Sequence, residues 1–152
     1  MASWDGTIDS SGSPRIKISV YGINEGLARE FDALVDTGFS GFLAMHMVQA
    51  FPLGLVLSGT ANVTLADGSQ IANLTAIGSI AIGGETQSGI ILLENNPCDI
   101  LVGMDFLRTF HRVLLVHAVH GLTLVEEKVI EDFVKQAQAQ QASPPAPPNP
   151  AP

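Results

Sequence analysis

From Arg15 to Val20 the chain reads RIKISV, apolar at every second position, the pattern of a strand with one face in a core and one toward water. Three other stretches, FDALV (31–35), GIILL (89–93) and DILV (99–102), are continuous apolar runs between turn residues. Such runs predict strands buried on both faces. Glycine marks the turns. VTLADGSQIANL (63–74) predicts a hairpin at Asp67-Gly68, and IAIGGETQSGI (80–90) predicts one at Gly83-Gly84. HRVLLVHAVHGLTLV (111–125) predicts a strand pair turning near His120-Gly121. Helix is expected only in short pieces, around Met47 to Phe51 and from Met104 to Phe110. Residues 1–127 therefore read as one all-β domain, closed or sandwich-like, with one or two short helices.

The pattern changes after Glu127. Residues 128–141 favour helix, with Val129, Ile130, Phe133 and Val134 as one short apolar stripe. Residues 142–152 hold six of the nine prolines and no core-forming side chains, which predicts a disordered Pro/Ala-rich tail.

Composition narrows the function classes. A net charge of −8 argues against nucleic acid or an anionic membrane as a partner held by bulk electrostatics. No apolar run reaches the ~18 residues of a membrane span, and the N-terminus has no signal-peptide pattern. The single cysteine, Cys98, has no basic neighbour and is expected to be a buried structural thiol. The resulting expectation is a cytoplasmic protein. His46, His111, His117 and His120 raise the question of a metal. His117 and His120 are three apart, but a strand and turn would separate them, and no nearby acid has ligand spacing. No metal and no cofactor are expected.

One internal echo organises the body. DALVDTG (Asp32 to Gly38) and DILVGMD (Asp99 to Asp105) share Asp-x-Leu-Val at a separation of 67 residues. Each half also runs strand, turn, strand, buried strand, then a possible helix. Two related halves about an internal pseudo-twofold are expected. Asp36 ends the first apolar run and is followed by Thr37 and Gly38, a hydroxyl and a residue that lets backbone approach closely. As an isolated tripeptide this is ordinary turn chemistry.

In its context the sequence resembles the retropepsin-like aspartic proteases, above all the small stand-alone bacterial members. The likeness spans roughly Arg15 to Glu126: a strand pair, Leu34-Val35 before Asp36-Thr37-Gly38, a flap-like hairpin containing Leu65-Ala66-Asp67-Gly68-Ser69, and apolar-apolar-Gly at Leu101-Val102-Gly103. The resemblance implies a closed β-barrel that hydrolyses peptide bonds with a water activated between two carboxylates. Two aspartates about 3 Å apart share one proton, so one serves as base and the other as acid. This chain has one such aspartate, because Gly103 stands where the second half would carry its own. The implied enzyme is a homodimer acting on a peptide or protein substrate, with Asp36 from each copy. The alternative is a non-catalytic dimeric module of the same fold that binds extended peptides by strand pairing.

Asp105 is the rival partner within the chain, but it opens a predicted helix, where an acid stabilises the exposed amides. Asp67 reads as turn chemistry. Retroviral members carry a small residue after the tripeptide and an aspartate–arginine pair, at positions that here hold Phe39, Ser40 and Met104. Both members of the pair are lost together, consistent with an apolar contact in its place. Phe39 also lacks the hydroxyl that pepsin-like members set beside the carboxylate.

Overall fold

A computed structural model of the chain describes residues 3–142, so the tail expected over 142–152 lies, apart from Ala142, outside the described residues. The strands are β1 (Trp4–Ile8), β2 (Pro14–Tyr21), β3 (Arg29–Val35), β4 (Leu43–His46) and β5 (Val56–Thr64). They continue with β6 (Gln70–Ile82), β7 (Glu85–Glu94), β8 (Leu101–Val102), β9 (Arg112–His117) and β10 (Gly121–Glu126). Among the described residues there are three α-helices, α1 (Met47–Ala50), α2 (Met104–Thr109) and, after the last strand, α3 (Glu127–Gln141).

The strands form one sheet in the order β5-β6-β7-β4-β8-β3-β2-β1-β10-β9. A further β6–β2 pairing closes β2, β3, β8, β4, β7 and β6 into a ring, which matches the closed β architecture read from the sequence. The two echoing segments are neighbours in that ring. β3 and β8 run parallel with Leu34 opposite Leu101 and Val35 opposite Val102, the register in which the sequence repeats.

The alternation in β2 puts Ile16, Ile18 and Val20 in the core, each at most 2% exposed. Phe42, Phe106 and Phe110 pack beside them, with Phe106 and Phe110 meeting at 5.0 Å one turn apart along and just past α2. Trp4 meets Phe110 edge-on at 5.1 Å, tying the first strand to the end of α2. Arg112, itself buried, lies over the Trp4 ring at 4.1 Å and pairs with Glu85 and, at 3.7 Å, with Glu126.

The continuous apolar runs are not buried on both faces. In β7 Ile91 and Leu93 are buried while Ile90 is half exposed and Leu92 half-buried. In β3 Ala33 and Val35 are buried and Leu34 only partly. The outward residues Ile90, Leu92 and Leu101 line an open cleft, so a run that lacks polar positions has a core on one side and a groove on the other. The turn at Gly83-Gly84 has φ of +58° and +84°, the paired positive values of a tight two-residue hairpin. β9 and β10 turn between His117 and Gly121, as expected. The C-terminal helix begins one residue earlier than expected, with Glu127 N–H on the His111 carbonyl at 3.0 Å. Val129 and Ile130 are half-buried, while Phe133 and Val134 stay exposed.

Candidate active site

Asp36 follows the last residue of β3 and is fixed by backbone on both sides. Its N–H donates to the Val102 carbonyl at 3.0 Å, and Phe39 N–H donates to the Asp36 carbonyl at 3.2 Å. Its carboxylate Oδ1 accepts the Gly38 N–H at 2.8 Å. That bond holds the side chain over its own turn and leaves Oδ2 for other partners. Asp36 and Gly38 line a cleft of about 610 Å³. Ala61, Val63 and Thr64 of the β5 arm also line it. Its apolar lining includes Leu43, Ile90, Leu92 and Leu101.

Thr37 turns away from this cleft. It is exposed, shares a separate depression with Met104, Leu107 and Arg108, and its hydroxyl makes no hydrogen bond among the described residues.

Beneath Asp36, Leu101 reaches the cleft, Val102 is fully buried, and Gly103 is pressed against the Asp36 loop. A Cβ on Gly103 would lie 2.2 Å from the Phe39 carbonyl oxygen and 2.5 Å from that of Gly41. The glycine of the second half is thus a packing requirement, and the chain has no room there for a second aspartate. The same loop is clamped to α2: Met104 N–H donates to the Phe39 carbonyl at 2.8 Å, and Asp105 N–H to the Ser40 carbonyl at 3.2 Å. Where an apolar contact between positions 40 and 104 was expected, the backbone bonds run from Met104 to Phe39 and from Asp105 to Ser40, and Met104 is 41% exposed. The Phe39 ring lies instead against Gly41 and Gly103. Asp105 stands in the first turn of α2 and also lines the cleft, with its carboxylate on Arg108 at 3.1 Å.

The hairpin at residues 65–69 closes as a three-residue loop. Leu65 N–H reaches the Ser69 carbonyl at 2.8 Å, Gly68 N–H reaches the Leu65 carbonyl at 2.9 Å, and Gly68 adopts φ +82°. Asp67 Oδ1 accepts from the Ser69 hydroxyl at 2.6 Å and from Ser69 N–H at 2.9 Å. These two donors, the hydroxyl first, hold the Asp67 carboxyl below the usual carboxylate range. Leu65, Ala66, Asp67, Gly68 and Ser69 are all exposed, and it is the arm of this hairpin, not its tip, that lines the cleft.

Two expectations are corrected. His117 and His120 are not separated by their turn: His120 N–H bonds the His117 carbonyl at 3.0 Å, and the rings lie 4.3 Å apart. Cys98 is exposed, because it sits in the loop before β8; partial desolvation, then the charges of Glu94 and Asp99, raise its thiol pKa. Among the described residues no three His, Cys, Asp or Glu side chains are grouped to hold a metal, and no helix is long and apolar enough to cross a membrane.

Glu94 and Asn73 were not singled out in the sequence, yet both belong to the cleft region. Asn73 is 2% exposed and donates its Nδ2–H to Glu94 Oε2 at 2.9 Å. The signal was present for Glu94: IILLE ends an apolar run with a carboxylate, as ALVD does at Asp36.

A family model described as "gag-polyprotein putative aspartyl protease" matches residues 23–109, more than half of the chain. Among solved structures the fold is similar to EIAV protease complexed with the inhibitor HBY-793, with TM-score 0.55 and 14% identity over 68% of this chain and 93% of that one. It is also similar to a retropepsin-like aspartic protease from Rickettsia conorii, with TM-score 0.54 and 18% identity over 81% of this chain and 90% of that one. A search of curated proteins finds no sequence match.

Proposed function

The chain belongs to this gag-type aspartyl protease family, and from that premise we propose that it is an aspartic endopeptidase, active as a homodimer. The observation that carries the proposal is Asp36 of the Asp-Thr-Gly turn on the wall of a cleft of about 610 Å³, while the equivalent position of the other half, Gly103, cannot accept a side chain. A second copy supplies the missing carboxylate across a twofold axis. One Asp36 takes a proton from the attacking water and the other donates to the carbonyl oxygen of the peptide bond. Gly38 N–H keeps each carboxylate oriented, so the pair needs little rearrangement as charge moves.

The exposed surface of Thr37 and Met104 beside Asp36 fits an interface with the second copy. The 65–69 hairpin covers substrate, and the β5 arm offers it strand-like backbone. We further propose a cytoplasmic setting, in keeping with a lone cysteine that has no internal disulfide partner.

The test is Asp36→Asn with a diverse peptide library. Sedimentation should give about twice the 16.0 kDa chain mass for both proteins. The parent should cut peptides and the variant should fall to background. A variant that cuts as well as the parent refutes the mechanism, and a strictly monomeric active parent refutes the shared site. If neither protein cuts but both bind extended peptides, the chain is a binding module.

A further inference from the structure

The cleft has Leu43, Ile90, Leu92 and Leu101 among its lining and is one-signed in charge. Its charged lining residues are Asp36, Glu94 and Asp105, and none of the lining residues is Lys, Arg or His. The three carboxylates are not equivalent. Asp36 belongs to the proposed chemistry, and Asp105 already holds Arg108 at 3.1 Å. Glu94 alone has neither a part in that chemistry nor a cation partner among the described residues. It ends β7, next to the cleft residues Leu92 and Ile90, and is half-buried.

Its placement is fixed from behind. The Asn73 amide is itself almost fully buried and donates to Glu94 Oε2 at 2.9 Å. Oε1 makes no hydrogen bond among the described residues. His46, across the β4–β7 ladder from Glu94, directs its Nε2 to the Asn95 carbonyl at 3.3 Å and does not pair with it. A carboxylate held by one oxygen in a cleft that Ile90 and Leu92 of the same strand also line, with the other oxygen open, is the complement of a long side chain with an apolar stem and a cationic head.

We infer that Glu94 is a specificity-determining residue, selecting peptides with an arginine or lysine side chain at the position that reaches its carboxylate. The inference rests on the proposed cleft as the substrate site and adds the class of substrate. The stem of that side chain lies on Ile90 and Leu92, and its head bonds Glu94. The net charge of −8 favours the approach of such peptides.

The experiment uses extended peptides from the diverse library, chosen by cleavage or, where none is cut, by binding, in which arginine is exchanged, one position at a time, for citrulline, which keeps the shape and loses the charge. At one position the parent should favour arginine by about tenfold in kcat/KM, the size expected of a charge-assisted hydrogen bond. In Glu94→Gln that ratio should fall to near one, and in Glu94→Lys it should invert for a glutamate/glutamine peptide pair. Equal cleavage of arginine and citrulline peptides at every position, or an unchanged ratio in Glu94→Gln, overturns the inference.

The same pairs are titrated against Asp36→Asn by fluorescence anisotropy, which separates binding from chemistry. If no protein cuts, about tenfold tighter binding of the arginine peptide, lost when Glu94→Gln is added, upholds the inference while the hydrolytic reading fails. Equal binding of the two peptides in that case overturns both.

Discussion

Replacing Gly103 by alanine should damage the candidate site from below without touching any residue that faces substrate. The new Cβ would stand 2.2 Å from the Phe39 carbonyl oxygen and 2.5 Å from the Gly41 carbonyl oxygen. Both neighbours are backbone, so neither can rotate away as a side chain end would. Restoring an ordinary contact needs a displacement of about 1 Å. The loop that must move is the one clamped to α2 through Met104 N–H on Phe39 at 2.8 Å and Asp105 N–H on Ser40 and Gly41, both at 3.2 Å. A shift of that size takes these bonds past hydrogen-bonding distance. The two N–H donors at about 1 kcal/mol each, with added strain in a core that includes fully buried Val102, give a loss of about 2–4 kcal/mol. For a chain of this size that is a fall in Tm of about 5–15 °C. Urea denaturation followed by the fluorescence of the single tryptophan gives the free energy directly. A Gly103→Ala variant within about 0.5 kcal/mol of the parent would refute the reasoning. It would mean that the glycine is not what keeps an acid out of the second half.

Two further outcomes are expected. Asp9 Oδ1 accepts from the Ser11 hydroxyl at 2.6 Å, from Ser11 N–H and from Ser13 N–H, and Oδ2 accepts from Arg15 at 2.8 Å. These donors, the Ser11 hydroxyl first, hold its carboxyl far below the usual range. A depressed folded-state pKa contributes stability that is fully present above the unfolded value and lost as pH falls below about 4, so Asp9→Asn should be less stable than the parent at pH 6 and the gap should narrow toward pH 2; a constant gap in urea midpoints would contradict this. Glu85→Ala should leave the buried Arg112 guanidinium with Glu126 at 3.7 Å and the Trp4 face at 4.1 Å. Because Glu85 is 39% exposed, the cost should be about 1–3 kcal/mol and not the full price of a broken buried pair, with a change in Trp4 emission in the folded state; an unchanged midpoint and spectrum would refute the role.

What the sequence determined by itself was everything governed by local rules. The period-two pattern of RIKISV placed Ile16, Ile18 and Val20 in the core. Glycines at positions needing positive φ marked the Gly68 and Gly83-Gly84 turns, since few other residues adopt that backbone cheaply. The echo of DALV and DILV paired Asp36 with Gly103, and the parallel β3–β8 register keeps that pairing. The tertiary structure decided what depends on distant segments. β1 is too short to reveal its partners, and Trp4 enters the core where β10, Phe110 and Arg112 meet it. Whether an apolar run has two core faces, or one core and one groove, depends on what covers the second face. No pattern within the run encodes that, so Ile90, Leu92 and Leu101 read as core and line the cleft. Glu94 was overlooked for the same reason. A carboxylate at a strand end gains meaning only from its partners, and Asn73 lies 21 residues away along the chain, brought alongside by the β6–β7 pairing.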